Sequence, residues 1–392
     1  MKPIYLDYNA TTPTDPSVVS AMLPFFTETF GNPANTLNSY GWAAENAIKK
    51  SAEHVAKLIH CKPSEIIWNA GATEGNNSVV FGLIRTLKKK NPIDKIHFLT
   101  SNAEHLSVIN SYLAAQRIEN IDIEFIPVDT FGCVDMTTLK KFIRPSTKLV
   151  SLMWVNNEIG SVNPIHELAT YCHEQQIFFH TDATQAVGKI EIDLQKTPVH
   201  FLTFSAHKFY GPKGVGCLIT KSSGQHIQIE PLLFGGGQQN NHRSGTMNVP
   251  AIVGAGKAAE IAFDNLSNEA SRTEALCKDL FCRLKEMVPT VTLNGPGFSN
   301  RSPINLSLTF DRPVDLVLNQ LSELAFSQGS ACSTAGVTSS HVLKAIGLTR
   351  AQTQNTIRLS VGRWTTPAEI QRAAEILTKV FKTPLQSGTI TT

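Results

Sequence analysis

Short apolar runs alternate with helical patterns through the first half of the chain. Seven runs read as strands: 66–68, 96–100, 121–126, 149–155, 177–181, 201–204 and 215–220. Between most of them apolar positions recur at helical spacing, near 74–89, 105–117, 135–144 and 164–175. That alternation predicts an α/β fold built on a large, mostly parallel seven-stranded sheet covered on both faces. Ligands on such sheets bind beyond the carboxyl ends of the strands. Ahead of the sheet, a turn-rich stretch from Leu6 to Pro16 leads into helices predicted over 17–30 and 41–60. Gly31-Asn32-Pro33 ends the first of them.

A long helical pattern over 250–287 then predicts a link between two domains. Beyond it the order becomes strand 303–310, helix 313–323, short strand 325–328, strand 356–361 and helix 366–382, a smaller α+β domain. The expected division is a large domain over 16–262 and a small one made of 1–15 plus 263–383. The stretch 384–392, PLQSGTITT, reads as a frayed tail.

The chain has 392 residues, 42% of them hydrophobic and 17% charged, enough for large cores and unlike a disordered protein. A net charge of +3 is too small to imply direct nucleic-acid binding. No apolar run approaches the ~18 residues of a membrane span, and the first residues lack a secretory core. Seven scattered cysteines with no Cys-x-x-Cys argue against a disulfide framework or a zinc site. They point to a reducing, cytoplasmic setting.

Candidate chemistry gathers at the strand ends. Asn69-Ala-Gly-Ala72-Thr73-Glu74 opens a helix, where small residues leave N–H groups for a phosphate or form an ordinary cap. His105, after Glu104, could stack on a planar cofactor or shuttle a proton, or could simply begin a surface helix. Asn156-Asn157-Glu158-Ile159-Gly160 is a polar loop at another strand end. Asp182 follows a fully apolar run, so it needs a partner or serves as an N-cap. A protonated pyridine nitrogen would pair with it, and Gln185 could donate to a phenolate oxygen. Lys208 ends the run 201–204 between Ser205, Ala206, His207 and a Tyr-Gly-Pro-Lys-Gly turn. Partial desolvation would make such an amine nucleophilic; a lysine reaching solvent is the plain alternative. Together Lys208, Asp182, His105 and an anion site at Ala72 and Thr73 describe a pocket for pyridoxal 5'-phosphate. Ser205 and His207 flank the lysine and can reach the phosphate, and Thr246 adds another phosphate donor.

In this layout the chain resembles the cysteine desulfurases of the NifS/IscS type, in the class V aminotransferase branch of fold-type I pyridoxal phosphate enzymes. The resemblance rests on YLDYNATTP (5–13), FGNP (30–33), GATEGNN (71–77), EH (104–105), VNNEIGSVNPI (155–165), HTDATQAVGK (180–189), SAHKFYGPKGVG (205–216), GGG…RSGTMNVP (235–250), GSACSTAG (329–336) and IRLSVGRWTT (357–366). It implies that Lys208 carries the cofactor as an imine, that His105 stacks on the ring and moves protons, and that Asp182 and Gln185 contact the ring nitrogen and oxygen. It implies phosphate ligation by Thr73, Ser205 and His207, and by Thr246 from a neighbouring subunit of a homodimer with shared sites. Asn32, Asn157 and Arg358 would hold the carboxylate of L-cysteine. Cys332 would be the nucleophile that takes the sulfur as a persulfide, leaving alanine, for transfer to a sulfur-acceptor or scaffold protein.

Three departures from the family pattern concern Asn38, Gln238-Gln239-Asn240-Asn241-His242, and Thr338-Ser339-Ser340-His341. The longer C-terminal extension of the housekeeping members is not evident, which leaves room for a specialised acceptor pathway. Competing expectations are a selenocysteine lyase or simple aminotransferase of the same branch, and an inactive sulfur-transfer scaffold.

Overall fold

The computed structural model describes residues 2–92, 95–221, 227–328 and 340–382. Seven strands form the main sheet, in the spatial order Ile66–Asn69, Gly216–Thr220, Phe201–Ser205, Phe178–Asp182, Thr147–Ser151, His97–Ser101, Asp122–Ile126. Neighbours from Phe201–Ser205 to Asp122–Ile126 run parallel. Gly216–Thr220 runs antiparallel to both of its neighbours. The mostly parallel seven-stranded sheet expected from the apolar runs is therefore present.

Alternation along each strand sends side chains to two different cores. Leu202, Phe204, Phe179 and Val150 pack under the helices Ser39–Ile59 and Val249–Met287. Phe201, Phe178, Leu149 and Phe98 pack on the other face, against Val79, Leu83 and Tyr112. Because both faces are covered, the strands read as continuous apolar runs.

A third core lies beyond the sheet. Leu306 and Leu308, Ile357 and Leu359, and Ile370, Leu377 and Phe381 enclose it. Its sheet has the order Thr356–Ser360, Asn305–Thr309, Thr292–Leu293, all antiparallel. The chain's beginning joins this unit: Ile4–Tyr5 pairs in parallel with Leu324–Ala325, and Leu6 and Tyr8 are buried in its core. The 39-residue helix Val249–Met287 spans about 58 Å. Its first half buries Ile252, Ala255 and Ala259 against the main sheet, and its second buries Leu276, Leu280 and Leu284 in the third core. Arg363 joins the chain's beginning to this helix, through Asp15 at 2.7 Å and Glu269 at 2.9 Å.

Most expected helices are found within a few residues, and two differ for identifiable reasons. The helix predicted over 17–30 is two pieces, Pro16–Met22 and Pro24–Thr27. Pro24 has no N–H to continue the first. The helix predicted over 313–323 is instead two 3-10 turns, Val314–Leu316 and Leu318–Leu321, separated where Val317 adopts φ −123°. Short helices His341–Ala345 and Arg350–Gln354 fall where none was predicted. The tail expected over 384–392 lies outside the described residues.

Two departures from the family pattern have structural roles. Asn38 caps the helix Ser39–Ile59, its Oδ1 accepting from Gly41 N at 3.0 Å. Gln239 closes the free edge of the strand Ile66–Asn69: its amide accepts from Trp68 N at 2.7 Å and donates to Trp68 O at 2.8 Å. Gln239, Asn240 and Asn241 all have φ between 52° and 64°, a left-handed run that asparagine tolerates.

Leu280 is fully buried, whereas Leu318 is 43% exposed. Leu280→Ala is expected to cost about 2–5 kcal/mol, and Leu318→Ala less than about 1 kcal/mol. Urea unfolding of the purified protein reads both, and equal losses would contradict the packing described.

Candidate active site

At the carboxyl end of the parallel strands one cavity is lined by Ala72, Thr73, His105, Asn157, Asp182, Gln185, Ser205, His207, Lys208 and Arg358. These ten residues come from six well-separated segments. Asn9, Ala10, Ser107, Met153, Val155 and Thr184 complete the wall.

Lys208 ends a 3-10 turn that follows the strand Phe201–Ser205. Its Nζ donates at 2.7 Å to two backbone carbonyls, Asn9 O and Ala10 O. The amine is therefore held by the N-terminal segment rather than released to solvent. Ser205, three residues earlier at the strand's end, accepts from Ala72 N at 2.8 Å. This joins the strand end to the N-terminus of the helix Ala72–Lys90. The close approach needs glycine. A Cβ on Gly216 would sit 2.7 Å from Gly71 Cα, and Gly71 itself has φ +144°. Thr73 lies in the first turn of that helix, where aligned peptide dipoles favour an anion.

Asp182 ends its strand with both oxygens engaged. Oδ2 accepts from Asn76 Nδ2 at 2.9 Å and Oδ1 from Thr184 N at 3.0 Å. Asn76 also donates to Ser107 Oγ at 2.9 Å. His105 accepts from Ser107 N on Nδ1 at 3.1 Å, which leaves the proton of the neutral ring on Nε2. Burial holds the His105 imidazole below its ordinary pKa, Asp182 opposes the drop, and Lys208 and His341 reinforce it. His207 is pushed down to about 4, first by burial and then by Lys208, Lys213 and Lys189. Its Nδ1 lies 3.0 Å from Thr11 Oγ1.

Arg358 is buried on the strand Thr356–Ser360 and crosses to the cavity. Nη2 donates to Asp7 Oδ1 at 2.9 Å and Nη1 to Asn157 O at 3.1 Å. Arg358 Nε, Asn157 Oδ1 and Thr184 Oγ1 are buried with no partner among the described residues. Unsatisfied buried polar atoms are costly, and three of them on one cavity wall are what a bound polar group would satisfy. A planar anionic ligand with a protonated ring nitrogen fits this donor set: a helix N-terminus, a carboxyl group and an amine.

Three sequence-based site residues are not in this cavity. Asn32 lines a separate one with Trp68, Gln239 and Met247, and its Oδ1 accepts from Ala34 N at 3.0 Å. Thr246 is exposed. Cys332 lies outside the described residues, but the segments on either side of it reach the site. Ser327 Oγ donates to Asp7 at 2.9 Å, and Asp7 pairs with Arg358. Ser340 Oγ donates to Glu158 at 2.5 Å, and His341 Nε2 meets Glu104 O at 2.8 Å.

Sequence reasoning missed Asn9, Asn76 and Lys189. Asn76 carried a signal, since it sits on the helix face otherwise occupied by Ala72, Val79 and Leu83. Nothing local to Asn9 announced that its carbonyl would meet Lys208.

The fold and site define a class V aminotransferase architecture, and comparison with known proteins agrees. The family model described as aminotransferase class-V matches residues 4–373. A mitochondrial cysteine desulfurase of Eremothecium gossypii is 40% identical over 96% of this chain and 76% of its own length. The cysteine desulfurase IscS of Rickettsia typhi is 39% identical over 96% of this chain and 90% of its own. A solved structure titled NifS-like protein superposes with a TM-score of 0.87 at 32% identity, covering 97% of this chain and 99% of its own. Another, titled SspA in complex with cysteine, gives 0.80 at 33% identity, covering 92% and 99%. The chain belongs to the class V aminotransferase family and, within it, to the cysteine desulfurases.

Glu104 provides a test of the site's electrostatics. It is fully buried; Oε1 accepts from Ser101 Oγ at 2.7 Å and Met153 N at 2.9 Å, and Oε2 has no partner among the described residues. Burial pushes its carboxyl from 4.5 up to about 8, the two hydrogen bonds oppose the rise, and Asp182 adds to it. A carboxyl raised in the folded state contributes stability that is complete below pH 4.5 and is lost as pH rises through about 8. Glu104→Gln removes that loss. Its melting temperature relative to the wild type is expected to rise steadily from pH 5 to pH 8, and a difference that stays flat would sink the assignment.

Proposed function

We propose that the cavity binds pyridoxal 5'-phosphate on Lys208 and that the protein converts L-cysteine to L-alanine, with the sulfur captured on Cys332. The observation that carries this reading is the convergence of Lys208, Asp182, Gln185 and Arg358 on one cavity with the helix N-terminus at Thr73. A relative solved with cysteine, the SspA structure, supports cysteine as substrate. When bound, the cofactor supplies an electron sink for the bonds at the substrate α-carbon.

The chain's own residues do the rest. Asp182, oriented by Asn76 and Thr184, faces the ring nitrogen and keeps its proton in place. Gln185 donates to the ring oxygen. Thr73, Ser205 and His207 hold the phosphate, and Ala72 contributes the helix-terminal backbone. His105, neutral with Nε2–H, covers one ring face and moves protons at the substrate. Arg358 offers its unpartnered Nε to the substrate carboxylate, with Asn157 beside it. Asn32 is proposed to join them only in the assembled enzyme, because within one chain it lines another cavity. The cysteine C–S bond is replaced by a C–H bond, and Cys332 exchanges its thiol for a persulfide, so atoms and electrons balance. The described residues on either side of it, Ser327 and His341, are anchored on Asp7 and Glu104, the neighbours of Arg358 and His105.

We further propose a homodimer with shared sites. Thr246 is exposed and outside its own cavity, which suits a ligand for a second copy's phosphate. Phe30, Leu37 and Phe234 are 64%, 90% and 73% exposed, apolar surface that a partner subunit would cover. The separate cores support the division into 16–262 and 1–15 plus 263–383. A sulfur-acceptor or scaffold protein receives the persulfide in a reducing compartment such as the cytoplasm. The six described cysteines are free thiols. Among the described residues no helix is long and apolar enough to cross a membrane.

Purified protein is expected to be yellow and to release equal amounts of sulfide and alanine from L-cysteine under reducing conditions. Cys332→Ala should still change colour with L-cysteine but release no sulfide, and release at the wild-type rate would overturn the persulfide route. His105→Ala should lower kcat by about 10²–10⁴-fold with the chromophore retained. Efficient amino transfer to a 2-oxo acid would favour a simple aminotransferase instead.

A further inference from the structure

Two buried basic side chains, Lys189 and Arg301, stand at the ends of a chain of three buried amides that reaches the cavity. From one end, Arg301 Nη1 donates to Asn305 Oδ1 at 3.0 Å. Asn305 Nδ2 donates to Asn9 Oδ1 at 3.1 Å, and Asn9 Nδ2 donates to Gln185 Oε1 at 2.9 Å. From the other end, Lys189 Nζ donates to the same Oε1 at 2.5 Å. Gln185 Nε2 is left to face Asn9 O at 2.9 Å, the carbonyl that also accepts from Lys208.

The polarity of this chain follows from chemistry. A guanidinium has donors only, so the Asn305 atom facing Arg301 must be oxygen. That choice propagates: each amide must then donate to the next, and the Gln185 atom at the end must be oxygen. Lys189 Nζ, donating to the same Oε1 from the other side, favours the same orientation. With one N–H on Asn9 O, the acceptor it shares with Lys208, Gln185 has a second N–H to offer, and it lines the cavity.

We propose that Lys189 is a positioning residue that, with the Asn9–Asn305–Arg301 chain, locks the Gln185 amide with its NH₂ beside Lys208. The inference rests on the reading of Lys208 as cofactor anchor. Its role is to keep a donor aimed at the cofactor's ring oxygen, so that no reorientation is needed when charge builds there. Lys208 and Arg358 face Lys189 with like charge and Glu269 with opposite charge. Burial, then Lys208 and Arg358, hold the Lys189 amine well below its ordinary pKa, while Glu269 opposes the drop. A neutral amine still donates through N–H, so the contact to Gln185 Oε1 is kept.

The test uses the pH midpoint of the visible absorbance change of the cofactor-loaded protein. Losing the donor destabilises the ring phenolate and raises that midpoint. Lys189→Met should raise it by about one pH unit. Asn9→Ala, which removes the other donor to Oε1, should shift it in the same direction and gives a second route if the first variant does not fold. The decisive comparison is Lys189→Met in a Gln185→Ala background. If Lys189 acts through Gln185, it adds no further shift there. The same shift in both backgrounds would mean that Lys189 acts by charge alone and would overturn the inference. A wild-type protein that takes up no chromophore with pyridoxal phosphate would instead defeat the reading of the cavity, a separate outcome.

Discussion

The carbonyl oxygen of Asn9 accepts from both Lys208 and Gln185, and much of the site is arranged around that one acceptor. Asn9 lies on a short segment between the two largest units of the protein. Its backbone N donates to Ser360 Oγ and its side chain accepts from Asn305, both in the third core. Two residues earlier Asp7 pairs with Arg358. Three residues later Thr12 donates to His207 O. The segment is thus laced to the strand end that carries Lys208 and to the sheet that carries Arg358. A shift between the units would be felt at the lysine through these bonds, since close-packed interiors transmit displacement.

This arrangement places polar groups where they are expensive. Asn9, Gln185, Asp182, Asn76, Asn305 and Arg301 are all buried. Left unpaired, each would cost on the order of 1–3 kcal/mol. Nearly all find partners among themselves, so the network defines one arrangement of two amide-rich walls. Three exceptions are informative: Arg358 Nε, Asn157 Oδ1 and Thr184 Oγ1 lack partners among the described residues, and all three residues line the cavity. These three are where a ligand in the cavity would complete the network.

Much of this was legible in the sequence because it is local. Apolar runs predicted the strands, and strand ends marked Asp182, Ser205 and Lys208 as neighbours of a common rim. Helix starts were legible through their small and polar residues, as at Ala72 and His105. What sequence periodicity missed is non-local. Asn9 touches Gln185 and Lys208 across 176 and 199 positions, and no short-range pattern encodes such a contact. Helix breaks were also missed: Pro24 was a visible stop inside a stretch whose apolar spacing carried straight through it. The turns at 313–323 keep Val314, Val317 and Leu321 buried at near-helical spacing, so periodicity alone did not separate an α-helix from 3-10 turns.

The departures from the family pattern separate chemistry from surface. Asn38 and Gln239 both make defined backbone contacts, one at a helix start and one along a sheet edge. Neither lines the cavity that holds Lys208. Gln239 instead lines the other cavity, with Asn32, Trp68 and Met247, and Asn38 starts the helix whose Glu45, Lys49 and Glu53 also line it. That region lies beside the exposed Thr246 and the apolar side chains proposed to meet a second subunit. The cavity that holds Lys208 can therefore keep its family form while this second region is rebuilt: Ile66, Ile67 and Trp68 line the second, and Ala72 and Thr73 line the first. Asn32 marks the place where that separation is incomplete: if it reaches substrate, it does so only after the second wall has been closed by a partner.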